Sequence, residues 1–180
     1  IFAGSEGTLA AVTEAKLKLT PIPQAKALLA IHYCCFDDAL LAAQTLLRAE
    51  PFAIETLDET ILELAKNDDI YFYVKDFIGD AKAINLVKFI GETQDAVNQK
   101  ISQVCREIEV KKEQPKQASG YYLAKDEKEA AKLWELRKKG VGLLGNKPGD
   151  RQPISFIEDT AVPPENLASY VEEFKALLKS

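Results

Sequence analysis

Between residues 26 and 124 the apolar residues switch period repeatedly, and few folds accommodate the order in which they do so. Residues 26–34 are apolar on both faces, the pattern of a strand in the middle of a sheet. Asp37 and Asp38 then open a helix whose inner face is predicted as Phe36, Leu40, Ala43 and Leu47. Phe52, Ile54 and Thr56 predict a second strand, and residues 57–66 carry a short helical pattern. Residues 70–75, Ile-Tyr-Phe-Tyr-Val-Lys, fit either an edge strand or a buried turn of helix. Ala83 to Ile90 predict a strand ended by Gly91, and Thr93 is placed to cap a long helix over 94–109. After a charged loop at 110–117 carrying Pro115, Tyr121 and Leu123 predict a fourth strand.

In order these elements read βαββαβ. That is the split βαβ, ferredoxin-like arrangement, an antiparallel sheet with helices on one face, and the class is α+β. A further helix–strand–helix is predicted over 126–178. Asp126 with Glu129 three residues later is an acidic variant of the capping box, opening a helix that runs to about Lys139. Gly140 is read as its stop, followed by a glycine-rich loop over 140–152 and a strand at 153–158. Pro164 suits the first position of a last helix with the stripe Leu167, Tyr170, Val171, Phe174 and Leu178. Residues 1–23 stand apart: a Gly/Ser/Thr segment, then Ala15-Lys16-Leu17-Lys18-Leu19 in the alternation of a half-exposed strand, then Pro21 and Pro23 as a linker.

Composition removes several classes of function. Hydrophobic residues at 47% and charged residues at 28% exclude a disordered or collagen-like chain. A net charge of −5 gives no electrostatic footprint for nucleic acid. No apolar run approaches the roughly 20 residues of a membrane span, and no signal peptide is visible. The chain has no methionine and begins at Ile1, so it reads as a piece cut from something longer. Its three cysteines, Cys34, Cys35 and Cys105, include no CxxC and read as buried thiols in a reducing compartment; Cys105 shares a helical stripe with Val97, Ile101, Val104 and Ile108.

Candidates for chemistry are few. His32 is the only histidine, in the middle of an apolar strand, and is read as a core or sheet-face residue; no multi-histidine metal site can be built from it. Gly140-Val141-Gly142-Leu143-Leu144-Gly145 matches GxGxxG, but it follows a helix rather than a strand, so the dinucleotide-binding reading is rejected. Arg137 lies on the face of Ala130, Leu133 and Trp134, where it must snorkel out, pair with an acid or face a cavity. A guanidinium presented there can hold a substrate carboxylate bidentately. Lys138, Lys139, Lys147 and Arg151 add positive charge around it. Glu158 and Asp159 point to opposite faces if they end a strand, and are read as structural anchors.

Two segments carry a family likeness. Phe2-Ala3-Gly4-Ser5-Glu6-Gly7-Thr8-Leu9-Ala10-Ala11-Val12-Thr13-Glu14 resembles the end of the flavin-binding domain in FAD-linked oxidases and dehydrogenases of the vanillyl-alcohol oxidase type. Leu133-Trp134-Glu135-Leu136-Arg137 and Phe156-Ile157-Glu158-Asp159-Thr160-Ala161-Val162-Pro163 resemble the substrate-facing part of the same family's C-terminal cap domain. The wording of these last is most like large bacterial fusions with FAD and iron–sulfur modules.

The resemblance implies that residues 1–23 are the tail end of a FAD-binding domain and 24–180 a cap domain truncated at its C-terminus. It implies Gly4, Ser5, Glu6, Gly7, Thr8 and Val12 along the FAD, and Arg137 on the substrate carboxylate. Positions 141 and 157 carry Val and Ile, where the D-2-hydroxyglutarate-type pattern has Thr and Lys. The implied reaction is oxidation of a D-2-hydroxy acid (D-lactate, glycolate or D-2-hydroxyglutarate class) with hydride transfer to FAD. The implied parent holds FAD, iron–sulfur clusters and a divalent metal in regions outside this chain. Its partners are the small 2-hydroxy acid, the remainder of the FAD domain, a quinone or other electron carrier, and a second copy of itself; its place is the cytoplasm, peripheral to the inner face of the membrane. No catalytic or metal-ligating residue is assigned within this chain, which is expected to be inactive alone. The alternative is a non-catalytic ferredoxin-like module for small-molecule binding or dimerisation. Such a module has no use for residues 1–20 unless they pack on the domain.

Overall fold

The computed structural model describes residues 2–111, 114, 116–145 and 160–179. Four strands, β1 (Ala25–Tyr33), β2 (Ala53–Leu57), β3 (Ala83–Gly91) and β4 (Gly120–Leu123), form one antiparallel sheet in the order β2-β3-β1-β4. Its register sets Leu29 opposite both Val87 and Leu123, and Ile54 opposite Val87. The predicted α+β class and the ferredoxin-like βαββαβ order are both present.

Strand alternation divides the core into two halves. Leu29, Ile31 and Tyr33 of β1 join Val87 and Phe89 of β3 on one side. There they meet α1 (Phe36–Leu46) and α4 (Gln94–Lys111), the two helices of the βαββαβ unit. Leu28, Ala30, Ile84 and Leu86 face the other way. That side is closed by α2 (Glu59–Ala65), α3 (Tyr71–Ile78) and α5 (Glu127–Gly145). A sheet buried on both faces explains why β1 and β3 read as near-continuous apolar runs.

The helix starts follow the expected chemistry. Asp58 accepts from the Ile61 amide at 3.0 Å to cap α2, and Thr93 accepts from Ala96 at 3.2 Å to cap α4. The Glu129 amide donates to Asp126 at 2.9 Å; its carboxylate takes the Lys125 amide at 2.8 Å and the Tyr122 hydroxyl at 2.9 Å. The stripe Val97, Ile101, Val104 and Ile108 is buried as predicted. A 3-10 turn at Pro164–Asn166 leads into α6 (Leu167–Leu177), which lies on α1 and is tied there by Lys175 to Asp37 at 2.9 Å.

The stretch 70–75, open between strand and helix, resolves as helix, most of it in α3. Four expectations change. Residues 15–19 form no strand and pair with none among the described residues, because no sheet edge comes to meet their backbone groups. Gly140 does not end α5, which runs on to Gly145. Gly140 is buried against α2, where a Cβ would stand 3.3 Å from Ile61 Cδ1. The glycine therefore serves a close helix–helix approach rather than a stop. On α1 the buried pair is Ala39 and Leu40, with Leu47 exposed beyond the helix end. Leu178 of the α6 stripe is likewise exposed. The predicted strand at 153–158, together with Lys147, Arg151, Glu158 and Asp159, lies outside the described residues.

Candidate functional site

Helix α5 is oriented by Leu133 and Leu136, both fully buried against α2, α3 and the sheet. Arg137, one residue further, falls at the border of that contact with its side chain about half exposed. Of the three outcomes open to an arginine there, it pairs with an acid. Its Nε donates to Oε2 of Glu55 on β2 in a short ion pair. Leu57, two residues along β2, is buried on the same sheet side. Alternation thus places the Glu55 carboxylate toward α5, on the face that carries Leu28, Ala30, Ile84 and Leu86. Among the described residues, Arg137 makes no other hydrogen bond or ion pair, so its terminal Nη groups carry donors free for a ligand.

The positive charge predicted around Arg137 is partly neutralised. Lys139 donates to Asp68 at 2.7 Å, tying α5 to the turn before α3. That hydrogen bond and the Ile70 amide, which donates to Asp68 at 2.8 Å, hold the Asp68 carboxyl below its usual range. The same contact raises Lys139. Lys138 is exposed.

Residues 2–12 form a second group. Phe2–Gly4 form a 3-10 turn, and Glu6 and Gly7 take left-handed φ values of 49° and 78°. Ser5 Oγ donates to the Phe2 carbonyl at 2.9 Å and Thr8 Oγ1 to the Ser5 carbonyl at 2.7 Å, so both hydroxyls brace the loop itself. Nothing lies within 4 Å of a Cβ built on Gly4 or Gly7, which leaves this backbone open to a ligand from outside. Val12 is 77% exposed. No hydrogen bond or ion pair among the described residues joins this loop to Arg137. A flavin fits the loop as something lying along its open backbone, not as something enclosed by it.

His32 sits at the end of the sheet face that carries α3. Its Nε2 is 2.7 Å from the Phe77 carbonyl, a contact that requires the ring to donate from Nε2. Burial pushes its pKa below 6.5, against the carbonyl's opposing pull. It is a neutral structural residue, as the sequence indicated. Cys34 and Cys35 are exposed, which corrects the expectation of buried thiols: they fall in the turn after β1, outside both core halves. Cys105 is half-buried, and burial raises its thiol pKa. The GxGxxG match runs along α5 itself, so no helix N-terminus meets a phosphate there. Among the described residues no group of three His, Cys, Asp or Glu could hold a metal, and no helix is long and apolar enough to cross a membrane.

Glu55 and Asp68 escaped the sequence reading. Glu55 falls between Ile54 and Thr56, on the opposite face of the predicted strand from the apolar pattern, so the sequence carried no signal that this face too is covered by helices.

A family model described as FAD linked oxidases, C-terminal domain, matches residues 22–180. A D-2-hydroxyglutarate dehydrogenase of Haemophilus influenzae is 40% identical over 99% of this chain and 18% of its own length. One from Pantoea ananatis is 38% identical over 100% of the chain and 18% of its own length. A glycolate oxidase subunit of Bacillus subtilis is 31% identical over 96% of the chain and 34% of its own length. The chain thus spans under a fifth of the D-2-hydroxyglutarate dehydrogenases it matches.

Proposed function

The chain belongs to the FAD-linked oxidase C-terminal domain family, and from that premise we propose that it is the substrate-binding cap of a flavin-dependent dehydrogenase acting on D-2-hydroxy acids. The family match over residues 22–180 carries this reading. Residues 24–180 are the cap and residues 1–23 the tail end of the FAD-binding domain. Supporting that division, Phe2, Leu9, Val12, Leu17, Leu19 and Ile22 are between 59% and 86% exposed. Side chains of this kind spaced along one segment call for a neighbour to cover them. A self-contained regulatory module gives no reason for them.

Within the cap, Arg137 supplies the carboxylate clamp. Its free Nη donors can take both oxygens of the substrate carboxylate, fixing the hydroxyl-bearing carbon relative to the cofactor. Oxidation removes a hydride from that carbon and a proton from its hydroxyl. A bound flavin would supply the hydride acceptor, and Gly4, Ser5, Glu6, Gly7, Thr8 and Val12 would hold it along their loop. His32 is left out of the reaction as a residue of the sheet face: its Nε2 donates to the Phe77 carbonyl, and no hydrogen bond among the described residues ties it to Arg137. The parent passes its electrons to a quinone or carrier, works as a homo-oligomer, and acts in the cytoplasm at the inner face of the membrane.

The test is the full-length protein, purified and mixed anaerobically with a panel of D-2-hydroxy acids. Bleaching of flavin absorbance near ~450 nm by at least one of them is expected, because the redox chemistry resides in the cofactor. A full-length protein without flavin would refute the proposal. Arg137→Ala should lower kcat/KM at least about tenfold.

A further inference from the structure

The Arg137–Glu55 contact bears on how the proposed clamp is aimed. An arginine half in water has four side-chain torsions, and its guanidinium samples many orientations unless something fixes the plane. Here Glu55 engages Nε, the one donor nearest the stem. The guanidinium is flat, with its donors in a fixed fork, so engaging Nε from one side sets where the terminal Nη1–Nη2 edge points. That edge is the one suited to a bidentate grip on a second carboxylate.

Glu55 is itself well held. It lies inside β2, which pairs with β3 from Ala53 to Leu57, and its carbon partner across the ladder is Leu86, fully buried. Its side chain is about one-third exposed, less than that of Arg137. The anchored member of the pair is therefore the acid on the sheet, and the steered member is the arginine on the helix. Three lysines are engaged elsewhere: Lys139 is on Asp68, Lys82 is on Glu59 at 2.5 Å, and Lys88, on the same sheet face as Glu55, lies over the Phe52 ring at 5.1 Å. Arg137 is the cation that Glu55 holds.

We propose that Glu55 is a positioning residue for substrate binding: by holding Arg137 through Nε, it presents the Nη edge to the carboxylate of the hydroxy acid. This rests on the reading of Arg137 given above. Glu55 touches no reacting atom, and its removal affects capture of the substrate rather than the chemical step.

The experiment is steady-state kinetics of the full-length flavoprotein with its best hydroxy acid, on Glu55→Ala, Glu55→Gln, Glu55→Asp, Arg137→Ala and the Glu55→Ala/Arg137→Ala double variant. Glu55→Ala should raise KM roughly five- to fiftyfold with kcat within about twofold, the mark of lost uniform binding. Glu55→Gln keeps an oxygen that accepts from Nε and should stay within about threefold of the native KM. Glu55→Asp keeps the charge but withdraws it by one methylene, and should raise KM at least about fivefold. Should the alanine variant fail to fold, the Gln and Asp pair still decides the matter. In the Arg137→Ala background, Glu55→Ala should change nothing further. A native KM in Arg137→Ala would overturn the clamp itself. A raised KM there, with native values in Glu55→Ala and Glu55→Asp, would overturn only the positioning role of Glu55.

Discussion

Asn85 is the one fully buried polar side chain among the described residues, and its removal should be disproportionately costly. It sits in β3 opposite Thr56 of β2 and Ile31 of β1. Thr56 Oγ1 donates to its Oδ1 at 2.7 Å, and its Nδ2 donates to the Ala39 carbonyl of α1 at 2.9 Å. One amide thus links two further elements, β2 and α1, to β3. Asn85→Ala deletes these bonds, each worth about 1 kcal/mol net, and strands buried partners at a further 1–3 kcal/mol. A loss of roughly 3–5 kcal/mol is expected, which for a domain of this size lowers Tm by about 8–15 °C. Urea titration followed by the fluorescence of Trp134, the only tryptophan, measures it. Thr56→Val should cost less alone and little more when added to Asn85→Ala, since the shared bond is already gone. A loss below about 1 kcal/mol, or full additivity of the two substitutions, would show that the amide is not a structural node.

Three further outcomes are expected. The pKa of His32 is lowered in the folded chain, so its contribution is complete above the unfolded value near 6.5 and fades as pH falls from there toward the folded value. His32→Gln should flatten the stability-versus-pH curve over that window, and an unchanged slope in urea titrations would contradict it. Asp68 is likewise held below 3.8, so the stability it lends is present above that pH and lost as pH falls through its lowered folded value; Asp68→Asn should remove that acid limb from the unfolding profile. At Gly140, valine would drive its γ-carbons into Ile61 and should cost about 1–3 kcal/mol by thermal melting, whereas alanine, better in a helix by about 1 kcal/mol, should come out near neutral.

The fold was legible where a single period runs long enough to outvote local chemistry. β1, β3 and α4 each bury a continuous face or stripe, and each appears where its pattern lay. Residues 70–75 were not legible, because Ile70, Tyr71, Phe72, Tyr73 and Val74 have strand-like propensities. The helix wins there because Val74, Phe77 and Ile78, at i, i+3 and i+4, bury together on the sheet. Asp68, accepting from the Ile70 amide, fixes the entry. Gly140 misled for the opposite reason. A glycine near basic residues has the look of a C-terminal stop, and only the packing of α5 on Ile61 shows that the missing side chain makes room for another helix.

The site was legible by halves. Arg137 stood out because helical spacing set a permanent charge beside an apolar stripe, a conflict visible within a few residues of one element. Glu55 shows no such conflict along its own strand, and its partner lies 82 residues away. Finding it requires the rotation of α5 about its axis and the pleat of β2 at once, neither of which local sequence supplies. Both are set by apolar contacts the charged pair does not share: Leu133 and Leu136 turn α5, and Leu57 with its pairing to Ile84 fixes which way β2 faces. The core therefore decides which acid meets which base. A substitution that rotates α5, such as Leu136→Ala with its expected loss of about 2–5 kcal/mol, should weaken substrate binding through the aim of Arg137 even if the enzyme remains folded.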